Sequence, residues 1–345
     1  MYNSDQPPDN SERTAFRKAE KKYKLYMNNS SNKRKKLPLP VDLSEVVDFK
    51  QVLDGEICPP GVFKLQSDFD FPVFGLEDRP GFYFIPAALS VEEQCHWTRE
   101  SLTTFPQPPN RTNHYAIYGH VHDLFTAAQK QKVLVELEAP DVDISSAQCP
   151  GRWQYSGEKT AAVKVDSSIP ASTLLRKLRW STLGLQFDWS KRNYNVSLPH
   201  NKIPESLCQI AKRMAAPAMP NGEDFRPEAA IVNYFSAGDM LGGHLDDMEV
   251  DWSKPIVSIS LGCKAIFLLG GKSREDLPIA MFLRSGDVVL MAGQARECFH
   301  GVPRIFTDKE NAEITPLISK FSEQDLGYLD YITSSRININ IRQVF

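Results

Sequence analysis

The 345-residue sequence predicts an α+β protein whose strands form a sandwich or barrel towards the carboxy terminus. Three observations carry this. Five or more short β-rich runs, punctuated by glycine, fall within residues 226–345. The earlier residues give helical signals and one short strand between polar loops. No period of 20 to 50 residues recurs, which argues against a repeat array. At about 150 residues per domain the length allows two domains, but the texture divides otherwise. It reads as a basic helix and linker over 1–40, an extension over 41–225 holding an irregular insertion at about 125–168, and a β-rich core over 226–345.

Taken in order, Ser11 to Met27 places Ala15, Ala19, Tyr23 and Tyr26 at helical spacing among Arg17, Lys18, Lys21, Lys22 and Lys24. This reads as a basic, weakly amphipathic helix, with a fraying surface helix as the alternative because few apolar residues are there to dock it. Asn28 to Pro40 is a polar, basic linker, and the folded body starts near Val41. PGFYFIP (80–86) is a short strand, and Ser90 with Glu93 forms a capping box for a helix to about Leu102. Thr103 to Asn113 is a proline-rich loop, and Gln129 to Pro170 is polar with many small residues. Leu174, Leu175 and Leu178 mark a short helix entering Trp180. Pro204 opens a helix whose apolar face is Leu207, Ile210, Ala211 and Met214. The strands follow as AAIVNYF (229–235), PIVSISLG (255–262), AIFLLGG (265–271), IAMFLRSGDVVLMAG (279–293) and RININIRQVF (336–345), interrupted by a polar excursion over Pro303 to Gly327.

A chain that is 41% hydrophobic and 10% aromatic can bury a sizeable core, which excludes wholesale disorder. With no apolar run near 18 residues and no signal-peptide stretch, a soluble intracellular protein without a membrane partner is expected. Six scattered cysteines without CxxC spacing argue for reduced thiols rather than a disulfide framework or a thiolate zinc site. The net charge of −3 conceals an asymmetry: residues 1–40 hold ten bases against four acids, leaving 30 against 39 in the remainder. A basic arm on an acidic body is one footprint of nucleic-acid binding, and also the pattern of a solvated tail.

The chemistry concentrates at His244-Leu245-Asp246, approached through Gly238, Gly242 and Gly243. In an extended segment residues i and i+2 point the same way, so imidazole and carboxylate converge. His300, in CFHGVP, is the candidate third ligand. Two histidines and a carboxylate on one face of an octahedron leave three positions open, the arrangement of non-haem Fe(II) oxygenases. His96, His114, His120, His122 and His200 lack such a context and read as surface or hydrogen-bonded residues. At the carboxy terminus, strict alternation sends Ile337, Ile339 and Ile341 into a core and lines up Arg336, Asn338, Asn340 and Arg342 on the other face. Two arginines framing two strand-unfavourable asparagines suit an anion held in a barrel mouth. At about 3.3 Å per residue they stand some 20 Å apart, too far to share one carboxylate.

Together, His244-x-Asp246, His300 and Arg336-x-Asn338-x-x-x-Arg342 resemble the signature of the AlkB family of Fe(II)/2-oxoglutarate dioxygenases. Asn233 eleven residues before His244, Leu241, SKPIVSISLG, AIFLLGG, SGDVVLM and the terminal RQVF extend the likeness. PGFYFIP, LLRKLRW (174–180) and AFRKAEKKYKLY (15–26) are similar to the eukaryotic AlkB homologue 1 branch. The resemblance implies a double-stranded β-helix (jelly-roll) core with flanking helices and a nucleotide-recognition lid. It further implies Fe(II), 2-oxoglutarate and O2, with His244, Asp246 and His300 on the iron. Arg336 would pair with the distal carboxylate of 2-oxoglutarate, Asn233 and Asn338 would hydrogen-bond the cosubstrate, Leu241 would line its site, and Arg342 would lie near its proximal end and Asp246. Where the family places a tyrosine, this chain has Phe235: the cosubstrate forgoes a hydroxyl hydrogen bond, or Tyr234 supplies it.

The implied activity is oxidative demethylation of a methylated base that is flipped out or already unpaired. The expected substrates are 1-methyladenine and 5-methylcytosine in tRNA, with 6-methyladenine in DNA behind them. Trp180, Phe187, Trp189 and Tyr194 fall in the lid region, with Arg179, Lys191 and Arg192 available for phosphate. Arg17, Lys21 and Lys24 of the basic arm would grip a large RNA. The alternatives are an oxygenase acting on a protein side chain such as methyl-lysine, and a non-catalytic nucleic-acid-binding module. A monomer is expected, and KRKK (33–36) fits nuclear import while cytoplasm and mitochondrion stay open.

Overall fold

The computed structural model describes residues 13–24, 41–55, 58–136, 153–156, 168–188, 191–220, 223–307 and 311–345. The linker expected over 28–40 and Trp189 lie outside the described residues. β1 (Val62–Lys64), β2 (Phe74–Leu76) and β3 (Phe82–Ile85) come first. The helix Val91–Thr103 follows, its Ser90–Glu93 capping box formed as the sequence predicts. β4 (Val133–Glu136), β5 (Trp153–Ser156) and β6 (Ser168–Pro170) pair as a separate sheet in the order β5-β4-β6.

Within 125–168 the described residues hold the end of the helix Leu124–Gln129 and the strands of this small sheet, while 137–152 and 157–167 lie outside the described residues. Strands of three or four residues carry no readable alternation, and their pairing partners are distant in the chain.

The helix Ala171–Arg176 buries Leu174 and Leu175 and leads into β7 (Trp180–Gly184). β8 (Gln186–Asp188) and β9 (Asn193–Asn195) make a hairpin. The helix Glu205–Ala215 buries Leu207, Ala211 and Met214 and leaves Ile210 half-buried. Then come β10 (Ala229–Ser236), β11 (Leu241–His244), β12 (Ile256–Gly262), β13 (Ala265–Leu269), β14 (Ile279–Leu283), β15 (Val288–Met291), β16 (His300–Ile305) and β17 (Ser335–Arg342). The run expected over 279–293 is thus two strands in different sheets. Part of the expected polar excursion, Pro303 to Ile305, belongs to β16.

An eight-stranded sheet runs β1-β2-β3-β15-β12-β17-β10-β7 and faces a four-stranded sheet β11-β16-β13-β14. Two antiparallel sheets with the chain crossing repeatedly between them make the jelly roll that the resemblance implies. A core confined to 226–345 is corrected: β7 and β1 to β3, all from earlier in the chain, complete the larger sheet. One face of this sheet packs Val232, Val257, Ile259, Ile337, Ile339 and Ile341 against Trp97, Leu102, Leu207 and Met214 of the flanking helices. Its other face meets the smaller sheet through Phe82, Phe84, Val289 and Met291 against Phe267, Met281 and Leu283. Strand alternation therefore serves two cores, and the second parts at one end to form a cavity.

The amino-terminal helix spans Ala15–Tyr23 and does not lie loose on the surface. Phe16 is wholly buried with Tyr23, Ile266, Leu268 and Phe306, on the outer side of the smaller sheet. Phe16 falls outside the apolar spacing of the alanines and tyrosines, so that spacing understates the docked face. Among the described residues no helix is long and apolar enough to cross a membrane.

Candidate active site

β11 and β16 pair so that His244 stands opposite His300, and the chain leaves β11 in time to bring Asp246 beside them. The imidazole rings lie 4.4 Å apart between centroids, and one ligand atom from each of the three residues falls within 4.8 Å of the others. The Nδ1 atoms of His244 and His300 face the carbonyls of Gly242 (3.0 Å) and Cys298 (3.2 Å). A carbonyl only accepts, so each Nδ1 carries the proton and each Nε2 keeps a lone pair.

Burial, and then His300 beside it, lower His244 to about 4, favouring the neutral ligand form. Burial would raise the Asp246 carboxyl, but Arg342 first, and then the two histidines, hold it well below its ordinary range. Two imidazole lone pairs and an ionised carboxylate are a donor set that could hold a divalent ion. Among the described residues this is the one cluster of three potential metal ligands.

A cavity of about 510 Å³ opens over these residues between the sheets. From the larger sheet Asn233, Ser258, Arg336, Asn338, Asn340 and Arg342 line it; from the smaller, Leu241, His244 and His300. Arg336 is buried at 1% exposure and donates through Nη2 to Ser260 Oγ at 3.0 Å. Its Nε and Nη1 have no partner among the described residues. Burial lowers this guanidinium to about 10, with the Asp287 charge opposing. A buried cationic fork with open donors matches a carboxylate end of a small acid.

Arg342 is used differently. Its Nη2 donates to Asp246 Oδ1 at 2.8 Å, and its Nε lies 3.0 Å from Glu249 Oε1. Glu249 also takes Arg296 Nη2 at 2.7 Å, forming a buried ionic chain behind the carboxylate ligand. Neither Glu249 nor Arg296 is visible in the sequence pattern, since no spacing ties them to His244-x-Asp246. Asn338 departs from expectation: its Nδ2 donates to Ser258 Oγ and Ile259 O, both at 2.9 Å, and its Oδ1 accepts from Asn340. Its donors are spent on the sheet, leaving oxygen lone-pair capacity for a ligand. Asn233, opposite Asn338 in the sheet, lines the cavity.

Phe235 packs its ring 5.3 Å from the Arg336 guanidinium. Tyr234 does not substitute for the missing hydroxyl, because it points into the helix-side core and bonds Ser101 O (2.6 Å) and Ser181 Oγ (3.0 Å). Adjacent strand residues face opposite ways, so no side-chain rotation could bring it across.

The β8–β9 hairpin brings Phe187, Arg192 and Tyr194 to the cavity lining. Phe187 and Tyr194 meet edge to face at 5.3 Å, and Arg192 reaches Asp247 at 3.7 Å. Lys191 is exposed on the same turn. Trp180 and Arg179 lie outside the cavity lining. Trp180 sits beside Asn233 on the neighbouring strand but does not line the cavity, and Arg179 pairs with Asp239 at 2.8 Å. β7 lies one strand farther from the metal-type ligands than β10. Arg17, Lys21 and Lys24 likewise do not line it, and Arg17 pairs with Glu20 at 2.7 Å. His114 is buried against Leu174 O, while His96, His120, His122 and His200 are exposed.

With this geometry in place, comparison with known proteins gives concordant matches. The family model of the 2OG-Fe(II) oxygenase superfamily matches residues 118–342, beginning well before the β-rich third. The chain is similar to the DNA N(6)-methyladenine demethylase ALKBH1A of Arabidopsis thaliana, 61% identical with all of both chains covered. It is similar to the nucleic acid dioxygenase ALKBH1 of Homo sapiens, 30% identical over 90% of this chain and 81% of the relative. It also matches the tRNA demethylase abh1 of Schizosaccharomyces pombe, 29% identical over 87% of this chain and 90% of the relative. A His-Asp-His triad, a jelly-roll core and these matches together establish that the chain belongs to the AlkB family within the 2OG-Fe(II) oxygenase superfamily and is a dioxygenase dependent on Fe(II), 2-oxoglutarate and O2.

Proposed function

We propose that this enzyme oxidatively demethylates a methylated base in nucleic acid, taking N6-methyladenine in unpaired DNA first and methylated tRNA second. The observation that carries the reading is the pairing, across one cavity, of the His244–Asp246–His300 triad with the open donors of buried Arg336. Bound there, Fe(II) with 2-oxoglutarate supplies the O2-driven oxidation that hydroxylates a substrate methyl group. His244 and His300 present Nε2 lone pairs, each ring held through its Nδ1–H by a backbone carbonyl, and Asp246 presents a carboxylate kept ionised by Arg342. Arg336 holds the distal carboxylate of the cosubstrate, and Phe235 covers the guanidinium with an apolar ring. Phe187 and Tyr194 give the cavity an aromatic wall for a flat base, and Arg192 lines it beside them for phosphate.

The substrate order rests on relatives. The Arabidopsis protein named for DNA N6-methyladenine is 61% identical over the whole chain. The fission-yeast tRNA demethylase, at 29%, supports the second reading, with 1-methyladenine and 5-methylcytosine as the bases to examine. Incubation with Fe(II), 2-oxoglutarate and either methylated single-stranded DNA or total tRNA, followed by nucleoside mass spectrometry, tests both. Loss of N6-methyladenine with matching succinate is the expected result. Succinate release on a methylated peptide, with every nucleic acid left unchanged, would replace this reading with the protein-directed oxygenase.

A further inference from the structure

The strand that ends in His244 has little with which to hold itself. β11 is four residues long, its register against β16 shifts between Leu241 and His244, and its middle residues are Gly242 and Gly243. Yet the Gly242 carbonyl orients the His244 ring, so any slack in this peptide passes directly to the ligand atom.

The missing side chains come from the amino-terminal helix. Glu20, 4% exposed, accepts the Gly243 N–H on Oε1 at 2.6 Å and Arg17 on Oε2 at 2.7 Å. The Gly243 carbonyl accepts from Arg274 Nη2 at 2.7 Å, and the Arg274 carbonyl in turn accepts the Phe16 N–H at 2.9 Å. The Phe16 ring occupies the space where a Cβ would stand on two glycines, 2.4 Å from such an atom on Gly243 and 2.8 Å from one on Gly270. Phe299, which precedes His300, packs against the same cluster. Each histidine therefore adjoins a residue that touches the helix or its cluster.

We infer that the amino-terminal helix is a positioning element for the metal centre, with Glu20 and Phe16 holding the Gly242–Gly243 peptide that orients His244. This rests on the assignment of His244 as a metal ligand. Phe16 and Glu20 reach neither metal nor substrate; they act through the backbone. Gly243, directly before the His-x-Asp triplet, thereby gains a reason, since only a residue without Cβ there admits the Phe16 ring.

The test titrates Mn(II), a redox-silent probe, into metal-free full-length protein, alongside thermal melts. His244→Ala should lose binding. Glu20→Ala should weaken it about tenfold or more, the range for partners that orient metal ligands. Glu20→Gln keeps an acceptor for the Gly243 N–H and should stay within about threefold of the unaltered protein. Should Glu20→Ala fail to fold, Glu20→Asp, which withdraws the carboxylate by one carbon, gives the same reading with the charge retained.

Tyr23→Ala removes a buried side chain of the same helix that does not touch Gly243. It should lower Tm without changing Mn(II) affinity. Undiminished Mn(II) affinity in Glu20→Ala, with loss in His244→Ala, would overturn the inference alone. Equal weakening in Glu20→Ala and Tyr23→Ala at matched Tm loss would also overturn it. Retained affinity in His244→Ala would overturn the ligand assignment and the inference with it.

Discussion

Arg336 offers two buried N–H directions to the cavity and has no acceptor for them among the described residues. Leaving a charged donor unmade inside a fold costs more than leaving a neutral one, so an anionic ligand gains affinity here. Arg336→Lys keeps the charge and loses the fork. The KM for 2-oxoglutarate should rise about tenfold or more, equivalent to roughly 1.4 kcal/mol, with a smaller change in kcat; steady-state kinetics checks this.

Asp287 behaves oppositely to Asp246 although both are carboxylates in the same interior. Burial raises it to about 7, against the opposing N–H groups of Ala87 and Arg284 and the Arg284 charge. Its ordinary value is 3.8, so the folded state holds the proton more tightly than the unfolded chain. Stability from this group is fully present below about pH 4 and is lost as pH rises through about 7. Asp287→Asn should flatten the fall in Tm between pH 5 and pH 8, and melting curves across that range would show it. The triad residues were legible because ligand chemistry limits the choice of side chain. Glu249 and Arg296 were not, because a supporting charge can arrive from any position the fold brings near.

At the scale of elements, β17 was the most readable piece. Its alternation assigned Ile337, Ile339 and Ile341 to one core and Arg336, Asn338, Asn340 and Arg342 to the opposite face, which lines the cavity. A central strand buried on both faces leaves little freedom to slip, since a shift of one residue would put arginines in the apolar core. The β8–β9 hairpin shows the contrary case. Three-residue strands carry no period, and only folding shows that Phe187 and Tyr194 line the cavity while Trp180, just upstream, does not. Phe187→Ala should therefore raise KM for a methylated oligonucleotide severalfold, a loss of about 1 kcal/mol or more of stacking. The KM for 2-oxoglutarate should hold, and a comparison of the two constants in one preparation checks the hairpin's role. Phe235 reads similarly: its identity was plain, but its packing on Arg336 depends on β10 and β17 pairing at that register.

Across the whole molecule, a net charge of −3 describes neither end of the chain. The arm's bases remain candidates for phosphate, but Arg17 is engaged with Glu20 and the helix itself is docked. Deleting the entire arm would therefore confound nucleic-acid binding with the state of the metal centre. Lys21→Ala with Lys24→Ala spares Phe16 and Glu20. It should reduce the dependence of nucleic-acid affinity on salt, by a slope of about 0.7 to 0.9 for each phosphate no longer neutralised. Binding titrations at three salt concentrations measure this, and an unchanged slope would place these lysines away from the phosphates.

By itself the sequence determined the chemistry and the class of fold. The His-x-Asp triplet and the alternating core strands show in local spacing, while the roles of the metal-type ligands and of Arg336 came from the family resemblance that their spacing carries. Only the tertiary structure decided that β1 to β3 and β7 complete the larger sheet, that Arg342 serves Asp246, and that a basic helix braces the strand before His244. Each of those depends on contacts between residues far apart in the chain, such as Gly243 with Glu20, 223 positions earlier. Chain closure over such distances leaves no local periodicity, so the partners become known only when the backbone brings them together.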